Sequence, residues 1–167
     1  MFRRALLILA LGHACASPLQ AGSGEANFDL SGLVTVTRVV DGDTLRSAPL
    51  KIRVHGINAP ERKQRCKTGA GKDWDCGVAA TRAMQGIIRG SPELSCTLVD
   101  VDLYGRLIIR CLAGGTGIGK ALLEQGLAIT YRRYSRNYVS AKQHAKRAER
   151  GILQGRFDAP WDWRKKN

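Results

Sequence analysis

No two cysteines in the 167 residues form a C-x-x-C pair, and only three histidines occur. Structural zinc sites are built from clustered sulfur and imidazole ligands, so this shortage argues against a zinc-stabilised fold. No apolar run reaches the roughly 20 residues that a helix needs to cross a bilayer, which argues against stable membrane insertion. There is no internal repeat, and so no sign of a solenoid. Acid is also scarce, with 14 Asp and Glu against 27 Lys and Arg, a formal net charge of +13. An excess of this size favours a polyanionic partner over a basic or neutral one.

The chain has the length of one domain with a real hydrophobic core. Its first residues read as an address. Arg3 and Arg4 precede an apolar run at 5–11, and Ala14-Cys15-Ala16 supplies the small-residue cleavage pattern of a secretory leader, with cleavage before Ser17. A lipoprotein signal on Cys15 is the competing reading, although Gly12 and His13 suit it poorly. Export to the periplasm or the exterior is therefore expected. Without residues 1–16 the 27 basic residues become 25, the net charge is +11, and four cysteines remain: Cys66, Cys76, Cys96 and Cys111. An even count in an oxidising compartment reads as two disulfides.

Residues 17–32 are rich in Gly, Ser and Ala and read as a flexible lead-in to a domain over 33–160, with a basic tail at 161–167. LVTVTRVV (33–40) is β-branched and alternating, and Asp41-Gly42 after it is a hairpin signal. LKIRVHGI (50–57) places Leu50, Ile52 and Val54 inward and Lys51, Arg53 and His55 outward. In CGVAATRAMQGIIRG (76–90), Ala80, Met84, Ile87 and Ile88 form one helical stripe. LSCTLVD (94–100) and LIIRCL (107–112) pair about a turn in one constant register, with Leu98 opposite Ile109 and Cys96 opposite Cys111. That register pairs Cys96 with Cys111 and leaves Cys66 with Cys76. KALLEQGLA (120–128) reads as a short helix, and Ala141, Ala145 and Ala148 mark another whose outer face carries Lys142, Lys146, Arg147 and Arg150. Five strands with a helix after the third give an α+β chain order, a five-stranded OB-type barrel capped by about three helices.

GGTGIGKA (114–121) matches a phosphate-loop spacing, but Ala121 stands where a magnesium-binding hydroxyl is required, so it reads as a glycine-rich connection. VVDGDTL (39–45), IRVHGINAPE (52–61) and DLYGR (102–106) carry the chemistry. Asp43 and Glu61 fall at strand ends, where carboxylates can hold a hard cation. Arg53 and Arg106 supply two guanidinium forks, each able to grip a phosphate bidentately and neutralise developing charge. A carboxylate beside them can orient or deprotonate water.

These motifs, with GLAITYRRYS (126–135) and the closing GRFDAPWDWR (155–164), resemble the staphylococcal-nuclease-like (thermonuclease) family over 33–152, with a tail similar to that of exported bacterial members. The resemblance implies an OB-fold nuclease that hydrolyses DNA and RNA with calcium, acting as a monomer. By position, Asp43 is implied as a metal ligand together with the backbone carbonyl of Ala59. Arg53 and Arg106 are implied as transition-state stabilisers and Glu61 as the residue that activates water. Tyr104 and Tyr131 are implied as substrate contacts. The family has Asp as its second metal carboxylate, where this chain has Asn58. An amide oxygen can ligate calcium without contributing charge. The alternative expectation is a nucleic-acid-binding OB module whose catalysis weakened or vanished with that substitution.

Overall fold

The structure, a computed structural model, describes residues 31–130 and 138–167. In chain order its elements begin with β1 (Ser31–Thr35), β2 (Arg38–Val39), β3 (Thr44–Ser47), β4 (Leu50–Val54) and β5 (Ile57–Asn58). The short strands β6 (Cys66–Lys67) and β7 (Asp73–Trp74) precede helix α1 (Cys76–Gly90). Then come β8 (Glu93–Val101), β9 (Leu107–Ala113), β10 (Thr116–Gly117), α2 (Ile118–Glu124) and β11 (Ile129–Thr130). Helix α3 (Val139–Arg147), a 3-10 turn (Gly151–Gln154) and α4 (Pro160–Lys166) complete the chain.

The alternating stretch 33–40 does not run as one strand. It breaks after Thr35, and β1 begins at Ser31, inside the segment expected as lead-in. Across the main sheet the order is β1-β8-β9-β4-β3-β2, so β1 and β2 lie at opposite edges. Three Cα steps join Thr35 to Arg38, about 11 Å at full stretch. Six strands laid flat would hold the edges about 24 Å apart. The sheet must therefore curl until its edges meet, which is the closure of an OB-type barrel. The fold is α+β, as expected, with its first strand broken in two and, among the described residues, four helices where about three were expected. All neighbours in this sheet run antiparallel except β4 and β9, which pair in parallel with Ile52 opposite Leu107 and Val54 opposite Ile109.

Leu45, Ile52, Val54, Leu94 and Ile109 fill the barrel, and Met84 of α1 with Leu122 and Leu123 of α2 closes over them. Both expected disulfides form. Cys96–Cys111 bridges facing strands and Cys66–Cys76 fastens the loop before α1 to that helix's first residue. The expected β8–β9 register holds from Cys96↔Cys111 to Leu98↔Ile109, then shifts by one at a bulge, so that Asp100 faces Ile108. A bulge adds twist and re-aims the strand end, here the turn that carries Asp102, Tyr104 and Arg106.

Two positions of the alternation in 50–57 differ from expectation. Leu50 opens β4 beside a turn and is 48 % exposed, because the barrel wall covers only the later residues of that strand. His55, expected outward, is 6 % exposed, covered where the chain turns at Gly56 to start β5. Ala148 also differs: α3 ends at Arg147, leaving Ala148 exposed, while Ala141 and Ala145 are buried. The expected basic tail is helix α4, seated by Trp161, Phe157 and Ala159 on a second apolar cluster of Cys66, Cys76, Ile129 and Ile152.

Candidate active site

The β3–β4 hairpin sets the first half of the site. Its register puts Thr44 opposite Arg53, which brings the Asp43 side chain within reach of the guanidinium at the barrel rim. Arg53 Nη1 donates to Asp43 Oδ1 at 2.9 Å, and the Thr44 hydroxyl donates to the same oxygen at 3.0 Å. The other oxygen, Oδ2, accepts the backbone N–H of Ala59 at 2.9 Å. Asp43 is 3 % exposed, so these three donors replace its water and hold the carboxylate in place. Ala59 presents its N–H, not its carbonyl, to Asp43. Gly42 makes this approach possible, since a Cβ there would lie 2.5 Å from the Ala59 Cβ. The requirement at Gly42 is space, not the positive φ of a hairpin glycine.

The second half comes from the turn after β5. Pro60 ends the strand and Glu61 follows, its backbone N–H bound to Gln64 Oε1 at 3.2 Å. Gln64 is fully buried, and its Nε2 donates to the carbonyl of Asp158 at 2.7 Å, tying the Glu61 turn to the C-terminal segment. Gly77 lets α1 press against that turn, because a Cβ there would lie 1.7 Å from the Glu61 carbonyl oxygen. The β8–β9 turn completes the site. Asp102 Oδ2 accepts Arg106 Nε at 2.7 Å, and its Oδ1 accepts the backbone N–H groups of Tyr104 and Arg106 at 3.0 Å each. Pairing through Nε leaves the terminal nitrogens of Arg106 outside that ion pair. The guanidinium lies 5.5 Å from the centroid of the Tyr104 ring, which is 78 % exposed.

These parts meet. Arg53, Asn58, Glu61, Tyr104 and Arg106 line one cleft of about 850 Å³, with Asp41 and Arg164 also on its wall and Asp43 buried behind Arg53. Tyr131 lies outside the described residues. Burial, then the charge of Asp43 and, further down, of Glu61 push the Asp41 carboxyl up to about 6. His55 also lines the cleft, and burial with the neighbouring Arg110 guanidinium lowers its pKa, so the imidazole is neutral at pH 7.

Four residues of the site were not foreseen. Asp41 was visible in DGDT but reads there as turn chemistry. Asp102 stands four residues before Arg106, a spacing that could have announced the pair. Gln64 and Arg164 give no local signal, since their partners are 94 and 103 residues away in the chain. Arg164 Nη1 donates to Glu61 Oε1 at 2.5 Å and to Asn58 Oδ1 at 3.4 Å.

A curled OB-type barrel whose rim gathers carboxylates and guanidinium groups in one cleft defines the class, an α+β protein of OB type. The chain belongs to the staphylococcal nuclease homologue family, whose model matches residues 51–154. It is also similar to the succinoglycan biosynthesis protein ExoI of Rhizobium meliloti (strain 1021), with 32 % identity over 116 residues. That match covers 68 % of this chain and 61 % of the relative, so the chain spans about three-fifths of the relative's length.

The cleft's donors suit a hard cation. Asp41 and Glu61 offer carboxylate oxygens and Asn58 an amide oxygen, with no sulfur among them, while Asp43 stands behind Arg53 with both oxygens hydrogen-bonded. Burial first, and then the neighbouring Asp43 charge, raise the Asp41 carboxyl. Among the described residues, however, no group of three or more His, Cys, Asp or Glu forms a ready cage.

Proposed function

We propose that this protein is an exported nuclease that hydrolyses phosphodiester bonds of DNA or RNA by direct attack of water. The observation that carries the reading is the meeting of Arg53, Arg106 and Glu61 on one cleft wall. Binding alone needs positive charge; it does not need a carboxylate in the same cleft as two guanidinium forks. Arg53, aligned by Asp43, and Arg106, aligned by Asp102, would grip the scissile phosphate and neutralise charge on its oxygens as it develops. Glu61 would accept the proton of the attacking water or hold that water in line. Tyr104 offers an exposed ring on which a base or sugar can stack, and Tyr131 is assigned to the same role by family position alone.

Calcium is the cofactor of this reading, held by Asp43, Asn58 and the backbone of Ala59. When bound it supplies Lewis-acid polarisation of the phosphate and lowers the pKa of bound water. The two disulfides support an oxidising compartment, periplasmic or extracellular. Among the described residues no helix is long and apolar enough to cross a membrane. The protein acts as a monomer in this reading.

One observation favours a second reading, a nucleic-acid-binding module without turnover. Asn58 contributes no charge to the metal, and Arg164 engages Glu61. Digestion of denatured DNA by the disulfide-bonded protein, with calcium, manganese or chelator, separates the two. Cleavage that chelator stops and Glu61→Ala abolishes is the expected result. DNA binding without cleavage under any metal assigns the protein to the second class.

A further inference from the structure

Helix α4 delivers a cation to Asn58, one of the calcium ligands of the proposed reading, and to Glu61, its water-activating carboxylate. Pro160 is buried at its first turn, and Trp161 packs against the cluster around Cys66–Cys76. Arg164 follows these residues by four and three positions, so it shares their inward face. Lys165 and Lys166 point elsewhere, pairing with Asp162 at 3.5 Å and Asp158 at 2.9 Å. Two further ties fix the segment. Gln64 holds the Asp158 carbonyl, and the Lys67 N–H donates to the Arg156 carbonyl at 2.8 Å. Arg164 therefore reaches Glu61 and Asn58 from a seated helix.

We propose that Arg164 is a metal-affinity residue of the cleft, a built-in cation on the oxygens of Asn58 and Glu61 that a divalent ion must displace. The inference rests on the nuclease reading for the identity of those ligands. Calcium coordinates oxygens at about 2.3–2.6 Å, so an ion on Asn58 Oδ1 would sit within a few ångströms of the guanidinium and be repelled by it. The amide at Asn58 and the cation of Arg164 act in the same direction. One removes a negative charge from the site and the other adds a positive charge beside it. Metal affinity is thereby set low, and calcium-dependent work is confined to compartments where calcium is plentiful.

Calorimetric titration of calcium into the full chain, without nucleic acid, tests this directly. Arg164→Gln is expected to tighten binding about three- to tenfold, since its side chain is 41 % exposed and the repulsion it relieves is partly screened. Lys165→Gln removes the same charge from the same helix without touching the site and is expected to leave binding within about twofold. Calcium should also raise the unfolding temperature of Arg164→Gln more than that of the parent. Should Arg164→Gln fold poorly, Arg164→Lys keeps the charge but loses the fork, and intermediate affinity is expected. Equal or weaker binding after loss of Arg164 overturns the proposal, as does an equal gain in Lys165→Gln or an absence of calcium binding in both parent and variant. These outcomes are distinguishable from failure of the nuclease reading, which stands or falls on cleavage and its loss in Glu61→Ala.

Discussion

The site turns on single atoms at three residues. At Asn58, where the resemblance implies a carboxylate, this chain has an amide, which offers an oxygen without the charge. Gross attraction between a divalent ion and a carboxylate at 4 Å is roughly 8 kcal/mol at an effective dielectric of 20, and desolvation cancels most of it. Asn58→Asp is therefore expected to lower the calcium concentration for half-maximal cleavage by about tenfold, a net of about 1.4 kcal/mol. An unchanged calcium titration would remove Asn58 from the metal shell. Arg106 should behave differently, because its terminal nitrogens lie outside the Asp102 pair and the proposed function assigns its contribution to the transition state. Arg106→Ala is expected to lower kcat by about 10²–10³, the range for loss of one charge-stabilising donor, while DNA affinity measured in chelator falls far less. Equal losses would make Arg106 a binding residue only. His55 sets a pH dependence. Its pKa is lowered in the fold, so the unfolded chain binds more protons near and below pH 6.5, and stability rises with pH through that window and is lost as pH falls. Unfolding by urea at pH 5 and pH 7 should show a smaller difference in His55→Gln than in the parent.

Elements decide which of these residues meet, and they explain what could be read without coordinates. The β8–β9 hairpin was legible because two independent signals, the apolar face and the cysteine pair, demanded one register as far as Leu98. Past that point a bulge intervenes, and no side-chain pattern marks the one-residue shift. The motif residues Asp43, Arg53, Glu61 and Arg106 were legible as a cluster, because carboxylates and guanidinium groups at strand ends pair with one another, and the structure gathers them at one rim. Leu50 and His55 were misplaced because strict alternation describes the middle of a strand, whereas these two stand at its ends. Arg164 was illegible, since nothing in a run of Trp, Arg and Lys says which face of α4 meets a turn about a hundred residues earlier. The two disulfides belong to different elements, and their removal should separate stability from function. Each closes a loop worth about 3 kcal/mol in the chain-entropy model. Cys96→Ser with Cys111→Ser should cost about that stability yet leave kcat near the parent's at permissive temperature, because strand pairing still holds Arg106. Cys66→Ser with Cys76→Ser should cost a similar amount and also depress kcat at least tenfold, because that bridge secures the segment between Glu61 and α1 and the floor on which α4 rests. Equal kcat in the two double variants at equal folded fraction would argue against the Cys66–Cys76 loop as the support of Glu61.

Over the whole molecule the balance of charge separates capture from chemistry. The cleft is close to neutral within itself, because Arg53, Arg106 and Arg164 are each matched by Asp43, Asp102 and Glu61. The large positive excess must therefore lie outside the cleft, and α3 carries part of it in the exposed side chains of Lys142, Lys146 and Arg147. A polyanion drawn to such a surface releases counterions, and the logarithm of its binding constant falls with the logarithm of salt in proportion to the phosphates neutralised. Charges that capture nucleic acid in this way act before the phosphate reaches Arg53 and Arg106, and they should affect KM and salt sensitivity without affecting the bond-breaking step. Replacing Lys142, Lys146 and Arg147 together by Gln is expected to reduce the slope of that salt dependence on single-stranded DNA by about two, at roughly 0.7 per lost phosphate contact. It should raise KM and leave kcat at saturating substrate within about twofold. Fluorescence anisotropy across a salt series gives the slope, and initial rates across substrate concentrations give the kinetic split. A fall in kcat matching that of Arg106→Ala would place α3 in the chemistry instead of the capture surface, whereas an unchanged salt slope would mean that nucleic acid approaches the cleft over another face of the barrel.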